Sequence, residues 1–457
     1  MFKKKLKDRY KIMIICVVIV SFFSLLFTQA CSGHTGLAAV DLSYKKTSTQ
    51  KYTPKKPALS VAQELADALK DEACVVPDVV SRKIRVLLEE VDLGTDDATE
   101  KNKKIVLKSN NGFVLESPSG SGNTALFQDK ELCISNKKNQ LYLKCKDQKY
   151  RRIKHNNLEI CNSSQCLNAN GSNYQGSITV LLDSDRNRLL IINTLDLEDY
   201  VYSVLRSEAI TSWPMNMLKI QAIASRTFAV FSMQQAGKKN KSSLYDIKNT
   251  NHAQIYKGLH SSHHLRTAVN ETRGVILKYK DNVALTMFDI CCGGVVPGHL
   301  RYRDSSKPYL CRTERCTHCS NAKFYRWKED VHHNTFLAQL KKNPKLEAKL
   351  KHFGDKLTDI QIIDKDKAGL VHKIKLIGPR KHVVLAGKDL KPAFKNGMRS
   401  NAFSIKKIKD RIVTLGNGYG HHTGLCQWGA KALVDNGWHY KKILNFYYPN
   451  TKLSTLL

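Results

Sequence analysis

Glu208 lies in Leu205-Arg-Ser-Glu-Ala-Ile-Thr-Ser-Trp213, between two helical patterns and just before a Trp-Pro pair. A carboxyl group at a break between packed helices can be held rigidly and partly desolvated. Desolvation raises its pKa toward the value that a general acid needs near neutral pH. The same residue types also suit an N-cap or a salt-bridging glutamate. A second chemistry-bearing segment runs Gly416-Asn-Gly-Tyr-Gly-His-His-Thr-Gly-Leu-Cys-Gln-Trp-Gly-Ala430. Its glycines at 416, 418, 420 and 424 let backbone approach a ligand or another chain closely, with free N–H groups for an oxygen-rich partner. His421 and His422 are available as donors or acid–base groups. A tight strand-to-helix connection would use the same residues. A third cluster is Cys311-x4-Cys316-x2-Cys319, with Cys292 and His318 nearby in sequence. Such a set suits tetrahedral Zn²⁺, and in an oxidising compartment it also suits disulfides.

The elements that must position these groups can be read from periodicity. Alternating segments at 84–91, 104–107, 112–115, 140–143 and 177–182 predict strands, separated by Gly, Asn and Ser turns. A further strand is expected over 188–193. Asp196, Glu198 and Asp199 then open a helix over 197–205. After Pro214 a helix is expected to run to about Gln235. Ile220, Ile223, Ala224, Thr227 and Phe231 share one stripe, and Leu218, Ala222 and Ala229 widen it, so the helix should be largely buried. Gln221, Ser225 and Ser232 form one polar stripe, and Lys219 and Arg226 another. An arginine on a buried helix calls for a carboxylate partner. Strands are expected at 275–279, 284–290 and 411–415, and a helix ending near Asn436-Gly437.

The chain has 457 residues, a length that predicts two or three domains, or one large domain with a satellite, and its 42% apolar content is enough for a packed core. Its net charge of +34 points to an anionic partner: nucleic acid, a phospholipid surface or a wall polymer. No paired Cys/His finger or RNP-type aromatic spacing is present, and a further feature argues against nucleic acid. Lys3, Lys4, Lys5, Lys7, Arg9 and Lys11 precede an apolar run from Ile12 to Thr28, the layout of an export signal or an N-terminal membrane anchor. Ala30-Cys31 is a candidate lipoprotein cleavage point, although Thr28-Gln29 departs from the usual lipobox. The expected organisation is a signal or anchor over 1–31, a basic linker over 32–57, a helix over 60–72 within a mostly β region over 58–183, and a catalytic domain over 184–457. The class is α+β.

Two long blocks carry a resemblance. Leu195-Asp-Leu-Glu-Asp-Tyr-Val-Tyr-Ser-Val-Leu-Arg-Ser-Glu208, with Ser212-Trp-Pro and Leu218-Lys-Ile-Gln-Ala-Ile-Ala-Ser-Arg-Thr-Phe-Ala229, closely resembles the SpoIID/LytB family. So does Gly418-Tyr-Gly-His421 with Gly424-Leu-Cys-Gln-Trp-Gly-Ala430. Between them Gln254-Ile-Tyr-Lys-Gly258, Ala268-Val-Asn-Glu-Thr-Arg-Gly274 and Cys292-Gly-Gly294 follow the family's order. The resemblance covers roughly residues 84–455. It implies a mixed α and β catalytic domain of SpoIID type and an exported lytic transglycosylase. The implied substrate is peptidoglycan glycan strands, preferably stripped of stem peptides, cut after N-acetylmuramic acid with Glu208 catalytic. It further implies substrate contacts from His421, Gln427 and Tyr419. Arg226 would brace the Glu208 region or form a core salt bridge. A non-catalytic wall-binding protein that modifies an N-acetylmuramoyl-L-alanine amidase is the alternative. Some family members have a His-x5-Cys-x5-Cys zinc site; here Lys248 and Ala253 stand at the cysteine positions. Three more departures are Asp289 for the usual His, His422 for Gly and Cys426 for Ser. No cofactor is expected, with zinc at Cys311, Cys316 and Cys319 ranked behind disulfides.

Overall fold

The computed structural model describes residues 82–456 apart from 94–103, 117–124, 138–139, 146–148, 154, 162–165 and 240–242. The export signal, Cys31, the basic linker, the helix expected over 60–72 and Cys74 lie outside the described residues.

Strand Lys83–Asp92 pairs antiparallel with Arg188–Asp196, which pairs in turn with Ser177–Asp183. These three strands sit in a seven-stranded sheet whose edge is completed by Ile247–Lys248. The burial of Ser177–Asp183 alternates residue by residue, as expected for a strand with one covered face. Arg188–Asp196 has five consecutive buried residues, Leu189–Asn193, so both of its faces are covered. A six-stranded sheet contributed by residues 105–175 packs into the same core.

The boundary expected at residue 183 is therefore not a domain boundary. The strands on its two sides form a hairpin, and one hydrophobic core runs from Ile84 to Leu456. The architecture is α+β. A second core lies inside the expected catalytic domain. It is built from Trp327, Phe336, Leu340, Ile374, Leu385, Phe394 and Ile412, among others, between two three-stranded sheets and the helices His333–Lys341 and Pro344–Leu350. Its short alternating strands and Lys-rich surface give weak periodicity, and the sequence reading does not separate it.

Helix Leu197–Glu208 is capped by Asp196, whose side chain accepts the Glu198 N–H at 2.9 Å. Pro214 precedes helix Met215–Lys239, where its missing N–H costs nothing and its fixed φ favours the first turn. Residues 220–227 of this helix are buried almost without a break, so two of its turns have no solvent face. Of the strand expected over 284–290 only Phe288–Asp289 forms, with the two-residue strand Asn282–Val283 just ahead of the expected range. Between them the backbone bonds elsewhere: Leu285 N–H donates to the Tyr309 hydroxyl, and Met287 C=O accepts from Leu425 N–H and the Tyr448 hydroxyl. Among the described residues no helix is long and apolar enough to cross a membrane.

Candidate active site

Glu208 is the last residue of its helix and is half-buried. It is neither an N-cap nor a salt-bridging glutamate. An N-cap lies at the other end of a helix, and the carboxylate's partner here is the Ile255 backbone N–H, 2.7 Å from Oε1. Burial raises the Glu208 pKa above its ordinary value, and the Ile255 N–H opposes the rise only in part. A helix C-terminus carries partial negative charge, which also disfavours an ionised carboxylate. Together these conditions hold a proton on Glu208 at a higher pH than a solvated glutamate would keep one.

The main chain at Glu208 is held from the far end of the sequence. Gln427, the first residue of helix Gln427–Asp435, donates from Nε2 to the Glu208 carbonyl at 2.5 Å and to Gln221 Oε1 at 3.2 Å. Gln221 Nε2 donates in turn to the Ser225 hydroxyl at 3.3 Å. The Tyr200 hydroxyl donates to Gln254 Oε1 at 3.0 Å, and Gln254 Nε2 donates to the Ser225 carbonyl at 3.3 Å. Burial raises the Tyr200 phenol well above its ordinary pKa, and the charge of Glu208 adds to the rise. A buried amide–hydroxyl network thus fixes both the helix that carries Glu208 and the segment that supplies Ile255. Trp213 and Trp428 meet edge to face at 5.8 Å and close the same seam.

His421 and Tyr419 lie on the turn before the short parallel pair of Phe288–Asp289 with Leu425–Cys426. His421 Nδ1 accepts from the Thr423 N–H at 3.1 Å, and Nε2 therefore carries the proton it shares with the Phe288 carbonyl at 3.0 Å. The ring is fixed as the neutral Nε2–H tautomer. Its pKa is lowered, chiefly by desolvation of the ring, although the residue as a whole has exposed surface. In this arrangement His421 orients the turn and has no free nitrogen for proton transfer. Tyr419 is 37% exposed and packs edge-on against Phe324 at 5.4 Å, which leaves part of its ring open to solvent.

Arg226 does not reach the ligand side. It is fully buried, with Nη2 2.6 Å and Nε 2.9 Å from the two oxygens of Glu198. Of the two roles left open to it, it takes the core salt bridge, and its place among substrate-binding residues is corrected on that ground. His422 has φ +66°, a region that glycine enters freely and other residues rarely. Its N–H donates to Asp289 Oδ2 at 2.7 Å and its Nδ1 to the Cys292 carbonyl at 2.9 Å. Burial pushes its pKa down to about 4, so it is neutral. Asp289 and His422 are thus paired. Lys248, at one of the cysteine positions of the family's zinc site, reaches Glu90 at 3.4 Å.

Comparison with known proteins follows the same blocks. A family model described as Stage II sporulation protein (SpoIID) matches residues 185–279, which hold Glu208, Gln221 and Gln254. An uncharacterized protein of Brachyspira hyodysenteriae is 33% identical over 285 residues, 61% of this chain and 72% of the relative. Stage II sporulation protein D of Bacillus subtilis is 28% identical over 283 residues, 58% of this chain and 76% of the relative. The chain belongs to the SpoIID family. The amidase enhancer of Bacillus subtilis is a more distant relative, 22% identical over 342 residues, 66% of this chain and 47% of that protein. A second model, described only as a domain of unknown function, matches residues 306–424 and so takes in the second core.

Sequence reasoning brings Glu208 forward as a candidate acid and Gln427 as a substrate contact; in the structure Gln427 Nε2 bonds the Glu208 carbonyl and Gln221 Oε1, and the other parts that hold Glu208 are missed. Gln221 and Ser225 are visible as a polar stripe on an otherwise apolar helix, and Gln254 as part of a SpoIID block. A buried polar stripe signals a network, but its partners lie 29 to 206 residues away. The Ile255 contribution is a backbone N–H, which no residue type announces.

Proposed function

We propose that this SpoIID-family chain is an exported lytic transglycosylase that cleaves peptidoglycan glycan after N-acetylmuramic acid and leaves 1,6-anhydro ends. Family membership and the likeness to the amidase enhancer support a cell-wall-related role. The observation that carries the finer reading is the half-buried carboxyl group of Glu208, with raised pKa and one fixed N–H on Oε1. With Oε1 accepting from Ile255, the proton resides on Oε2, which donates to the glycosidic oxygen as the bond breaks. The carboxylate then takes the proton of the muramyl C6 hydroxyl, which closes onto C1. One carboxyl group acts as acid and then as base, and the nucleophile is tethered to the substrate, so orientation replaces a second carboxylate and a water. Mass spectrometry of denuded glycan treated with the purified chain tests this reading. Anhydromuramyl products support it, and reducing-end products or an unchanged glycan sink it.

Two substitutions separate positioning from binding. Gln427→Ala removes the donor to the Glu208 carbonyl and should lower kcat by roughly 10²-fold with little change in KM, because a small displacement of the acid misaligns proton transfer. Tyr419→Ala should instead raise KM by roughly 5- to 30-fold at constant kcat, as expected when about 1–2 kcal/mol of apolar contact with a sugar face is lost. Steady-state rates on denuded glycan distinguish the two patterns, and a shared effect on kcat would remove Tyr419 from the binding surface. The net charge of +34 suits collection of strands bearing lactyl carboxylates and would be weakened by salt.

A further inference from the structure

Four cysteine sulfurs meet at one point. The Sγ atoms of Cys292, Cys316, Cys319 and Cys426 all lie within 4.8 Å of one another, and all four residues are buried. Cys292 and Cys319 are 3.6 Å apart. Tetrahedral zinc with Zn–S bonds of about 2.3 Å requires sulfur–sulfur edges of about 3.8 Å. Two disulfides would instead draw the four sulfurs into separate pairs. From this geometry we propose that Cys292, Cys316, Cys319 and Cys426 form a structural zinc site with four thiolate ligands. The membership differs from the expected set. Cys311 points away, toward the carbonyls of Asp304 and Lys307, and His318 packs on Trp438 and Phe446.

Three features fit thiolates around a cation. First, the sulfurs are supplied with donors. Cys426 Sγ accepts from the Cys292 and Gly429 N–H groups at 3.2 and 3.3 Å, and Cys316 Sγ lies 3.3 Å from the Tyr447 hydroxyl. Such contacts orient and stabilise metal-bound thiolates. Second, Arg312 is 5% exposed, and none of its three guanidinium nitrogens has a hydrogen-bond partner. It stacks on Phe446 and Tyr447, the same tyrosine that meets Cys316. A buried permanent cation requires an anion, and Zn²⁺ with four thiolates carries a net charge of −2. Arg312 and the Asp289 carboxyl also feel each other's charge, but no hydrogen bond joins them, and four neutral thiols would add no anion at this point. Third, a Cβ at Gly429 would clash first with the Tyr447 hydroxyl and would also lie 2.9 Å from Cys316 Sγ, so the position beside the cluster admits only glycine.

The site has an evident structural task. Residues 293–325 contain only two single-turn 3-10 helices. Tyr309, Leu310 and Ala322 bury this stretch in the main core, and a metal cross-link would add to the order that packing provides. The cluster ties it to Cys292, which follows Phe288–Asp289, and to Cys426, the residue before Gln427. Zinc at this point would therefore brace the Gly-rich turn and, through Gln427, the main chain at Glu208.

The test is metal analysis of the purified full chain loaded with Zn²⁺, with thiol titration and non-reducing peptide mapping. One zinc per chain is expected. It should be lost in Cys316→Ser and Cys426→Ser and kept in Cys311→Ser. Wild-type protein exchanged into Co²⁺ provides a reading that does not depend on the variants folding: thiolate-to-cobalt charge transfer with intense tetrahedral visible bands is expected. The proposal is overturned by a disulfide linking any two of the four cysteines in zinc-free protein. It is equally overturned by zinc that survives in the Cys316→Ser/Cys426→Ser double variant, by zinc lost in Cys311→Ser, or by an octahedral cobalt spectrum.

Discussion

Replacing Glu208 with Gln is expected to lower anhydromuramyl product formation by about 10²- to 10⁴-fold, the range for loss of a positioned acid–base group. The amide oxygen can still accept the Ile255 N–H, so the turn at 254–256 keeps its geometry. The missing property is the exchangeable proton. Stability should move the other way. The folded pKa of Glu208 is raised, so the folded state binds this proton more tightly than the unfolded chain does. Its contribution is fully present below the unfolded pKa and is lost as pH rises through the folded one. Above that window the wild type carries a partly desolvated charge that Glu208→Gln lacks. Thermal melts should show the variant gaining on the wild type as pH increases from about 4.5, the ordinary glutamate value. An inactive variant that is also less stable at pH 7 would point to a structural role. Full activity would remove Glu208 from the chemistry.

Arg226→Ala should destabilise the fold by about 3–5 kcal/mol, the usual effect of leaving one partner of a buried ion pair without the other. Glu198 is 5% exposed and also accepts the Gly274 N–H at 3.1 Å. The guanidinium donates further to the Val275 and Val269 carbonyls at 3.2 and 3.3 Å. One ion pair therefore joins helix Leu197–Glu208, helix Met215–Lys239, helix His263–Asn270 and strand Val275–Tyr279. Denaturant unfolding measures the loss. The double variant Glu198→Leu/Arg226→Met should recover most of it, because apolar side chains of similar volume leave no buried charge behind. A loss below about 1 kcal/mol in Arg226→Ala would place the pair among ordinary surface bridges.

Local pattern was sufficient for much of the scaffold. Alternation along Ser177–Asp183 and the Asp196 cap ahead of Leu197 report on the faces and ends of single elements, and both elements form where they are read. The strand expected over 284–290 fails for a reason no local pattern carries. Its backbone groups are satisfied by the Tyr309 and Tyr448 hydroxyls and by the Leu425 N–H, the last two more than a hundred positions further along the chain. The second core around Phe336 and Ile374 was likewise illegible, because its elements are short and its surface is rich in lysine.

Residue type and spacing marked Glu208 as a candidate acid, Arg226 as a cation in need of a carboxylate, and the cysteines as ligands or bridges. Those are properties of individual side chains and their neighbours along the chain. Only the tertiary structure decided who meets whom. Gln427 reaches Glu208 across 219 positions, Arg226 finds Glu198 across 28, and Cys426 joins Cys292 across 134. The physical reason is that an apolar or polar stripe states which face is buried, whereas the partner on that face is set by the path of the whole chain. The carboxyl group was visible in its own segment. Its raised pKa comes from burial in the core that surrounds it, opposed in part by a distant backbone N–H.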